Sequence, residues 1–190
     1  MKYFLGGVNG SGKTTFLQKL EVTQPNLHTI QGSRAFMTFL GIEGDYESLR
    51  AIPHEDALRQ LEVMMTNITQ QPGDIIIDSH YLNLVRGKIK SVTGDWIQRF
   101  DALLLLDISP QTALMRVQSD TKRDRALFPT GVTAQEELQI YSDYIHEYKQ
   151  EFLRLTKKSK LPHLLLNADQ SIETILKEFL EFDSQLRKKD

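Results

Sequence analysis

The sequence lacks cysteine, so it can form neither disulfide bonds nor zinc sites built from thiolates. It also lacks any apolar run of membrane-spanning length. Its formal net charge is only −2 over 190 residues, so no excess of positive charge favours nucleic acid or a membrane surface as a partner. The first residues read as a strand leading into a glycine-rich loop, which is not the pattern of a secretory signal. We therefore expect a cytoplasmic protein with neither kind of partner.

The glycine-rich loop is the most informative segment. Residues 7–14 read Gly-Val-Asn-Gly-Ser-Gly-Lys-Thr and match the phosphate-binding pattern G-x-x-x-x-G-K-[ST]. Glycines let successive backbone N–H groups point at one anion, and the dipole of the following helix adds positive potential. Lys13 would bind the outer phosphates of ATP, and the Thr14 hydroxyl would ligate Mg²⁺. The candidate nucleotide-binding residues here are Gly7, Asn9, Gly10, Ser11, Gly12, Lys13, Thr14 and Thr15.

Short apolar runs alternate with segments of helical period along the chain. The runs that predict buried strands are residues 3–8, 28–31, 74–78, 102–107 and 163–167. Between them, apolar residues recur at steps of three and four, as core-facing helix stripes do. The pattern predicts a three-layer, doubly wound α/β sandwich with a five-stranded parallel sheet, the P-loop NTPase fold, in one domain over residues 1–190. Ligands would bind beyond the carboxyl ends of the strands.

Two acidic residues end predicted strands. Asp78 follows an isoleucine run, and its carboxylate would face the phosphates and hold Mg²⁺ together with Thr14. The alternative role for Asp78 is to cap the next helix. Asp107 is the rival metal ligand, but Ser109 and Pro110 behind it predict a strand that leads directly into a helix. His80 is a candidate for the acceptor side of the cleft, with packing or solvent exposure as its alternatives, and no histidine pair has metal-ligand spacing.

Arginines are concentrated after the fourth predicted strand. Arg116 lies on a predicted helix over residues 111–118, and Arg123 and Arg125 follow in a polar segment. Arginines on a closing loop can neutralise the charge that develops during phosphoryl transfer. We therefore predict a lid at about residues 119–132 with Arg123 and Arg125 as catalytic residues; the alternative is a solvated run of charges.

A second group of arginines lies between the second and third predicted strands. Arg34 and Arg50 belong to a predicted acceptor-binding region at about residues 33–70. Guanidinium groups can hold an acceptor phosphate through paired hydrogen bonds. The alternative is that both lie on helix surfaces without a ligand.

The order of these segments resembles the P-loop nucleoside monophosphate kinases, and is most similar to archaeal-type adenylate kinases. The resemblance rests on residues 7–15, 32–37, 49–53, 75–80, 104–110, 115–116 and 123–125 and on the strand ending at Asn167. It implies a five-stranded parallel sheet, a mobile acceptor-binding region and a lid. It also implies that Arg116 lies against the donor base or phosphates and that Asn167 borders the base.

Three functional hypotheses follow from these residues. The first is transfer of a phosphoryl group from ATP to a nucleoside monophosphate, with AMP as the first candidate, by a monomer or small homo-oligomer. The second is a kinase for a nucleoside, sugar or other hydroxyl acceptor. The similar kinases carry a further arginine whose place here is near Tyr46, and this sequence has no arginine between Arg34 and Arg50, as an uncharged acceptor would allow. The third is a P-loop ATPase or nucleotide-dependent regulatory protein.

Overall fold

Buried aliphatic runs and amphipathic helices alternate over residues 1–120 and 126–188, which are the residues that this computed structural model describes. The strands are β1 (Lys2–Gly6), β2 (Leu27–Gln31), β3 (Asp74–Asp78), β4 (Leu82–Val85), β5 (Lys88–Ser91), β6 (Ala102–Asp107) and β7 (His163–Asn167). The helices are α1 (Lys13–Thr23), α2 (Gly32–Phe39), α3 (Tyr46–Ala51), α4 (His54–Gln70), α5 (Pro110–Ser119), α6 (Ala134–Ser159) and α7 (Ile172–Arg187), with a short 3₁₀ helix at Asp95–Arg99.

The main sheet is parallel throughout and has the strand order β2-β3-β1-β6-β7. Its strands are the five that the apolar runs predict, and the predicted fold class is confirmed. The predicted end of the first strand was wrong, because β1 ends at Gly6 and not at Val8; the starts of β1 and β2 lie one residue earlier than predicted. Beyond Gly6 the chain leaves the sheet, and the Gly7 N–H is bonded to the Tyr148 hydroxyl (2.9 Å) instead of to a neighbouring strand.

Helices cover both faces of the sheet, and the alternation along β1 shows which elements lie on each. The Tyr3 ring contacts Phe179 of α7 on one face, at 5.5 Å between ring centroids. The next residue, Phe4, contacts Trp96 of the 3₁₀ helix on the other face at 5.1 Å. Helices α1 and α7 pack together on the first face, while α4, α5 and α6 belong to the second. The predicted three-layer arrangement follows from this alternation.

An antiparallel hairpin, β4–β5, follows the end of β3 and was absent from the sequence predictions. Arg86 and Gly87 form its turn with positive φ values of 48° and 73°. Their N–H groups donate to the carbonyl oxygens of Ala126 (2.7 Å) and Leu127 (2.8 Å). The hairpin therefore joins the region behind β3 to the segment that precedes α6.

Within residues 1–120 and 126–188, no helix is both long and apolar enough to cross a bilayer.

Candidate nucleotide-binding site

The phosphate-binding loop connects β1 to α1 and curls over the first turn of that helix. Gly10 and Gly12 have φ values of 78° and 92°, which residues other than glycine rarely adopt. Gly10 is also sterically required, because a Cβ there would lie 2.5 Å from the Ala113 carbonyl oxygen. Helix α1 begins at Lys13, and its first free N–H groups therefore point into the loop. This is the backbone arrangement that binds an anion.

The side chains of the loop fit a phosphate ligand. The Lys13 ammonium donates to the carbonyl oxygens of Gly7 (2.6 Å) and Val8 (3.1 Å), so its charge lies directly on the loop. Ser11 is only 2% exposed, and its hydroxyl has no hydrogen-bond partner among the described residues. Such a buried hydroxyl is costly unless a ligand pairs with it. Thr14 is exposed in the first turn of α1, as a metal-ligating hydroxyl would need to be.

Asp78 lies at the same edge of the sheet as the loop. It ends β3, where it is opposite Leu5 of β1 and Gln31 of β2. Its side chain accepts a hydrogen bond from the Gly32 N–H (2.9 Å) at the start of α2, and the residue is only 7% exposed. A buried carboxylate beside a phosphate loop fits Mg²⁺, which typically takes one or two protein ligands and completes its shell with phosphate and water oxygens.

The described residues contain no cluster of three or more histidine and acidic side chains able to hold a metal. The rival carboxylate, Asp107, is bound to the Lys149 ammonium at 2.5 Å. That ion pair gives Asp107 a structural partner and favours Asp78 as the metal ligand.

Arg116 joins the loop to the segment behind β7. Its guanidinium donates to the Gly10 carbonyl (3.3 Å) and, with a longer bond, to the Ala168 carbonyl (3.5 Å). Asn167 precedes Ala168, is exposed, and accepts the Asp169 N–H (3.0 Å) in a tight turn. The structure thus brings the predicted base-side residues, Arg116 and Asn167, next to the phosphate loop.

His80 lies beside the loop, two residues after Asp78. Burial lowers its pKa well below 6.5, and the neighbouring Lys13 charge lowers it further. The imidazole is therefore neutral near pH 7. Its Nδ1 atom is buried and has no hydrogen-bond partner within the described parts of the chain.

The two predicted acceptor arginines lie on α2 and α3. Arg34 is exposed in the first turn of α2, two residues after the Gly32 N–H that Asp78 binds. Arg50 forms an ion pair with Glu47 at 2.5 Å, one turn earlier on α3. The predicted lid arginines, Arg123 and Arg125, lie outside the described residues.

Sequence reasoning missed a contribution of α6 to this site. The helical period of residues 138–155 predicts that Tyr148 packs in the core, yet its hydroxyl also accepts the N–H groups of both Gly7 and Tyr81 at 2.9 Å. Tyr141, on the same face of α6, donates to the Asn9 carbonyl (2.5 Å) within the loop. A signal was present, because a buried helix stripe that uses tyrosine where phenylalanine would fill the space implies partners for the hydroxyls.

Comparison with known proteins identifies a family to which this chain belongs. A family model described as an AAA domain matches residues 6–128, whereas a search of curated proteins finds no match. Shikimate kinase from Bacteroides thetaiotaomicron is similar in structure, with a TM-score of 0.73 and 14% identity over 97% of this chain and 98% of that chain. Deoxyadenosine kinase from M. mycoides with bound dATP has a TM-score of 0.55 and 12% identity, covering 95% and 98%. At these identities the similarity establishes the fold. The protein therefore has the P-loop kinase fold and belongs to the AAA domain family.

Proposed function

We propose that this protein is an ATP-dependent phosphotransferase acting on a small molecule, and that its acceptor is a nucleoside monophosphate, with AMP as the first candidate. One observation carries the proposal. The phosphate loop, the buried Asp78 carboxylate and the Arg116 guanidinium converge at one edge of the sheet. This combination supplies an anion cradle, a metal ligand and a cation, which are the parts that phosphoryl transfer requires.

On the donor side, the loop N–H groups and Lys13 would hold the phosphates of ATP. Lys13 contacts two neutral carbonyl oxygens, and a phosphate oxygen would be a stronger acceptor for its ammonium because that bond is assisted by charge on both sides. Asp78 and Thr14 would hold Mg²⁺, which when bound neutralises phosphate charge and orients the transferring group. Arg116 would restrain the nucleotide between the loop and the Asn167 turn.

The reaction needs no covalent enzyme intermediate. An oxygen of the acceptor phosphate forms a bond to the γ-phosphorus, the bond from that phosphorus to the β,γ-bridging oxygen breaks, and ADP leaves with the electron pair. A monophosphate oxygen is already deprotonated near neutral pH, so no base is required for this acceptor. Catalysis then depends on alignment of the two substrates and on fixed positive charge around the γ-phosphate.

The acceptor side is supported by Arg34 and by the start of α2. Both lie at the carboxyl edge of the sheet, next to the Gly32 N–H that Asp78 binds. Arg50 can also serve a phosphate, although it is paired with Glu47. The Glu47 side chain is 82% exposed, and exposed ion pairs contribute only about 0–1 kcal/mol, so a phosphate dianion can displace the carboxylate.

A second candidate is a kinase for a hydroxyl-bearing acceptor. The observation that favours it is the same Glu47–Arg50 ion pair, because it removes net positive charge from the region where a monophosphate would bind. The structural neighbours named above are kinases of shikimate and of deoxyadenosine, which agrees with this alternative at the level of the fold.

A panel assay separates the two acceptors. ADP formation from ATP and Mg²⁺ is followed with each common nucleoside monophosphate, and then with nucleosides and small hydroxylated metabolites. The proposal predicts turnover with at least one monophosphate. Activity with hydroxyl compounds alone would replace it with the second candidate. ATP binding and slow hydrolysis with every acceptor inert would instead indicate a P-loop ATPase or a nucleotide-dependent regulatory protein.

A further inference from the structure

Helix α6 places a row of buried tyrosines behind the phosphate loop. Tyr141, Tyr144 and Tyr148 recur at steps of three and four, so their rings lie on one face, and all are almost fully buried. Neighbouring rings are in contact: Tyr141 and Tyr144 are tilted at 47° with centroids 5.8 Å apart, and Tyr144 and Tyr148 are T-shaped at 88° with centroids 5.7 Å apart. Burial raises the pKa of both Tyr144 and Tyr148, so these hydroxyls stay protonated at physiological pH.

The Tyr148 hydroxyl joins two segments of the site. It accepts one hydrogen bond from the Gly7 N–H, at the first residue of the loop, and another from the Tyr81 N–H, both at 2.9 Å. Tyr81 directly follows the Asp78-Ser79-His80 segment. One oxygen atom therefore fixes the start of the phosphate loop relative to the segment that carries the proposed metal ligand.

Tyr81 is itself held against the sheet by packing and by a hydrogen bond, so a bond to its N–H also fixes Tyr148 relative to the sheet. Its ring fills the space over Gly6, where an added Cβ would lie only 2.0 Å from the ring. Its hydroxyl donates to the Leu104 carbonyl of β6 (3.0 Å). The position of the Gly7 N–H is thus fixed relative to the sheet by hydrogen bonds through Tyr148 and Tyr81, and not only by its own chain neighbours.

We propose that Tyr148 is a positioning residue of the nucleotide site, whose hydroxyl holds the entrance of the phosphate loop in register with the Asp78 segment. This inference rests on the proposed nucleotide-binding function and assigns a role to a residue that does not touch the nucleotide. Without the hydroxyl, two buried N–H groups lose their acceptor, and the loop must shift to find another. A loop displaced from its anion-binding geometry binds phosphates more weakly.

The neighbouring tyrosines offer a second test variant and a matched control. Tyr141 donates to the Asn9 carbonyl inside the loop (2.5 Å), so its hydroxyl also restrains the loop. Tyr144 donates to the Leu82 carbonyl of the hairpin (2.8 Å) and does not contact the loop. Phenylalanine at any of these positions keeps the ring and its packing while removing one buried hydroxyl.

The experiment measures ADP binding by titration calorimetry, with Mg²⁺, for wild type and the variants Tyr148→Phe, Tyr141→Phe and Tyr144→Phe. Binding stoichiometry reports the folded fraction, so affinity is compared for folded protein only. We expect the dissociation constant to rise about tenfold for Tyr148→Phe and about threefold for Tyr141→Phe, and to stay within about twofold for Tyr144→Phe. Hydrogen exchange at the Gly7 and Tyr81 amides should accelerate only in Tyr148→Phe.

The outcomes separate positioning from plain stability. If all three variants lose thermal stability while every dissociation constant stays within twofold of wild type, Tyr148 is only a core residue and the inference is wrong. An equal loss of affinity in Tyr144→Phe would also contradict it, because that hydroxyl does not reach the loop. Wild-type protein that is folded but does not bind ADP would overturn the proposed function, and this inference with it.

Discussion

The two strand-ending aspartates give a sharp test of the proposed metal site, because the structure gives them different partners. Asp78 is buried and bonded to the Gly32 N–H, whereas Asp107 is paired with Lys149. The substitutions Asp78→Asn and Asp107→Asn remove the same charge from equivalent ends of β3 and β6. We expect only the first to impair phosphoryl transfer.

The sizes of the two effects follow from the contacts. Asparagine at position 78 still offers an oxygen to the Gly32 N–H, so stability should fall by about 1 kcal/mol, the cost of replacing a charged acceptor by a neutral one. This corresponds to roughly 2–4 °C in Tm for a chain of this length. Loss of a preorganised charge at the reacting group should lower kcat about 10²–10³-fold. Asp107→Asn removes a partly exposed ion pair, which contributes about 0.2–1 kcal/mol to stability, and should leave kcat unchanged.

The assay is the initial rate of ADP formation over a range of Mg²⁺ concentrations, with saturating ATP and the best acceptor from the panel. Asp78→Asn should also require more Mg²⁺ for half-maximal rate, which a purely structural defect would not produce. If Asp78→Asn retains kcat within threefold of wild type while Asp107→Asn loses a hundredfold, the metal ligand has been assigned to the wrong strand.

Three further predictions concern other parts of the chain. Arg116→Ala should raise the KM for ATP about tenfold in steady-state kinetics, because it loses the guanidinium that bonds the Gly10 carbonyl of the loop and the Ala168 carbonyl; an unchanged KM would contradict this. Burial raises the pKa of Asp74, but hydrogen bonds from the chain's amino group and Arg187 bring it below 3.8, so Asp74→Asn should cost about 0.5–1 kcal/mol in urea unfolding at pH 7. That difference should vanish as pH falls through the folded-state pKa, where wild type is protonated too; a pH-independent difference would refute the ion pair. Gly32→Val should lower Tm by several degrees, since its Cβ would lie 2.1 Å from a backbone oxygen; an unchanged Tm would exclude this clash.

The sheet could be predicted because each of its strands is a short, nearly continuous aliphatic run. The β4–β5 hairpin could not, since its strands are four residues long and β5 carries two exposed lysines, Lys88 and Lys90. A weak signal was present in the alternation of buried Leu82 and Leu84 with half-buried neighbours. So short a pattern does not reveal that the two strands pair with each other and not with the main sheet.

Part of the candidate site could likewise be predicted from local sequence, and part depends on contacts between residues far apart in the chain. The loop and Asp78 follow from local sequence, because a motif and a strand end place them at one edge of the sheet. The side chains of α6 that bind near these residues do not follow from local sequence. Tyr148, which accepts the Gly7 N–H, lies 141 positions from Gly7, and Lys149, which pairs with Asp107, lies 42 positions from Asp107. Helical period predicts that Tyr148 is buried but carries no information about which N–H groups its hydroxyl will meet.

The central claim is that this phosphate loop transfers a phosphoryl group from ATP to a small molecule. The most direct measurement is ³¹P NMR of ATP, Mg²⁺ and the acceptor panel with wild-type protein and with Lys13→Ala, whose folding is checked by circular dichroism. We expect a new phosphorus resonance from a phosphorylated acceptor with wild type, and a rate at least about 10²-fold lower with Lys13→Ala. Folded wild-type protein that binds ATP but phosphorylates no acceptor, or a Lys13→Ala variant that retains full transfer, would contradict it.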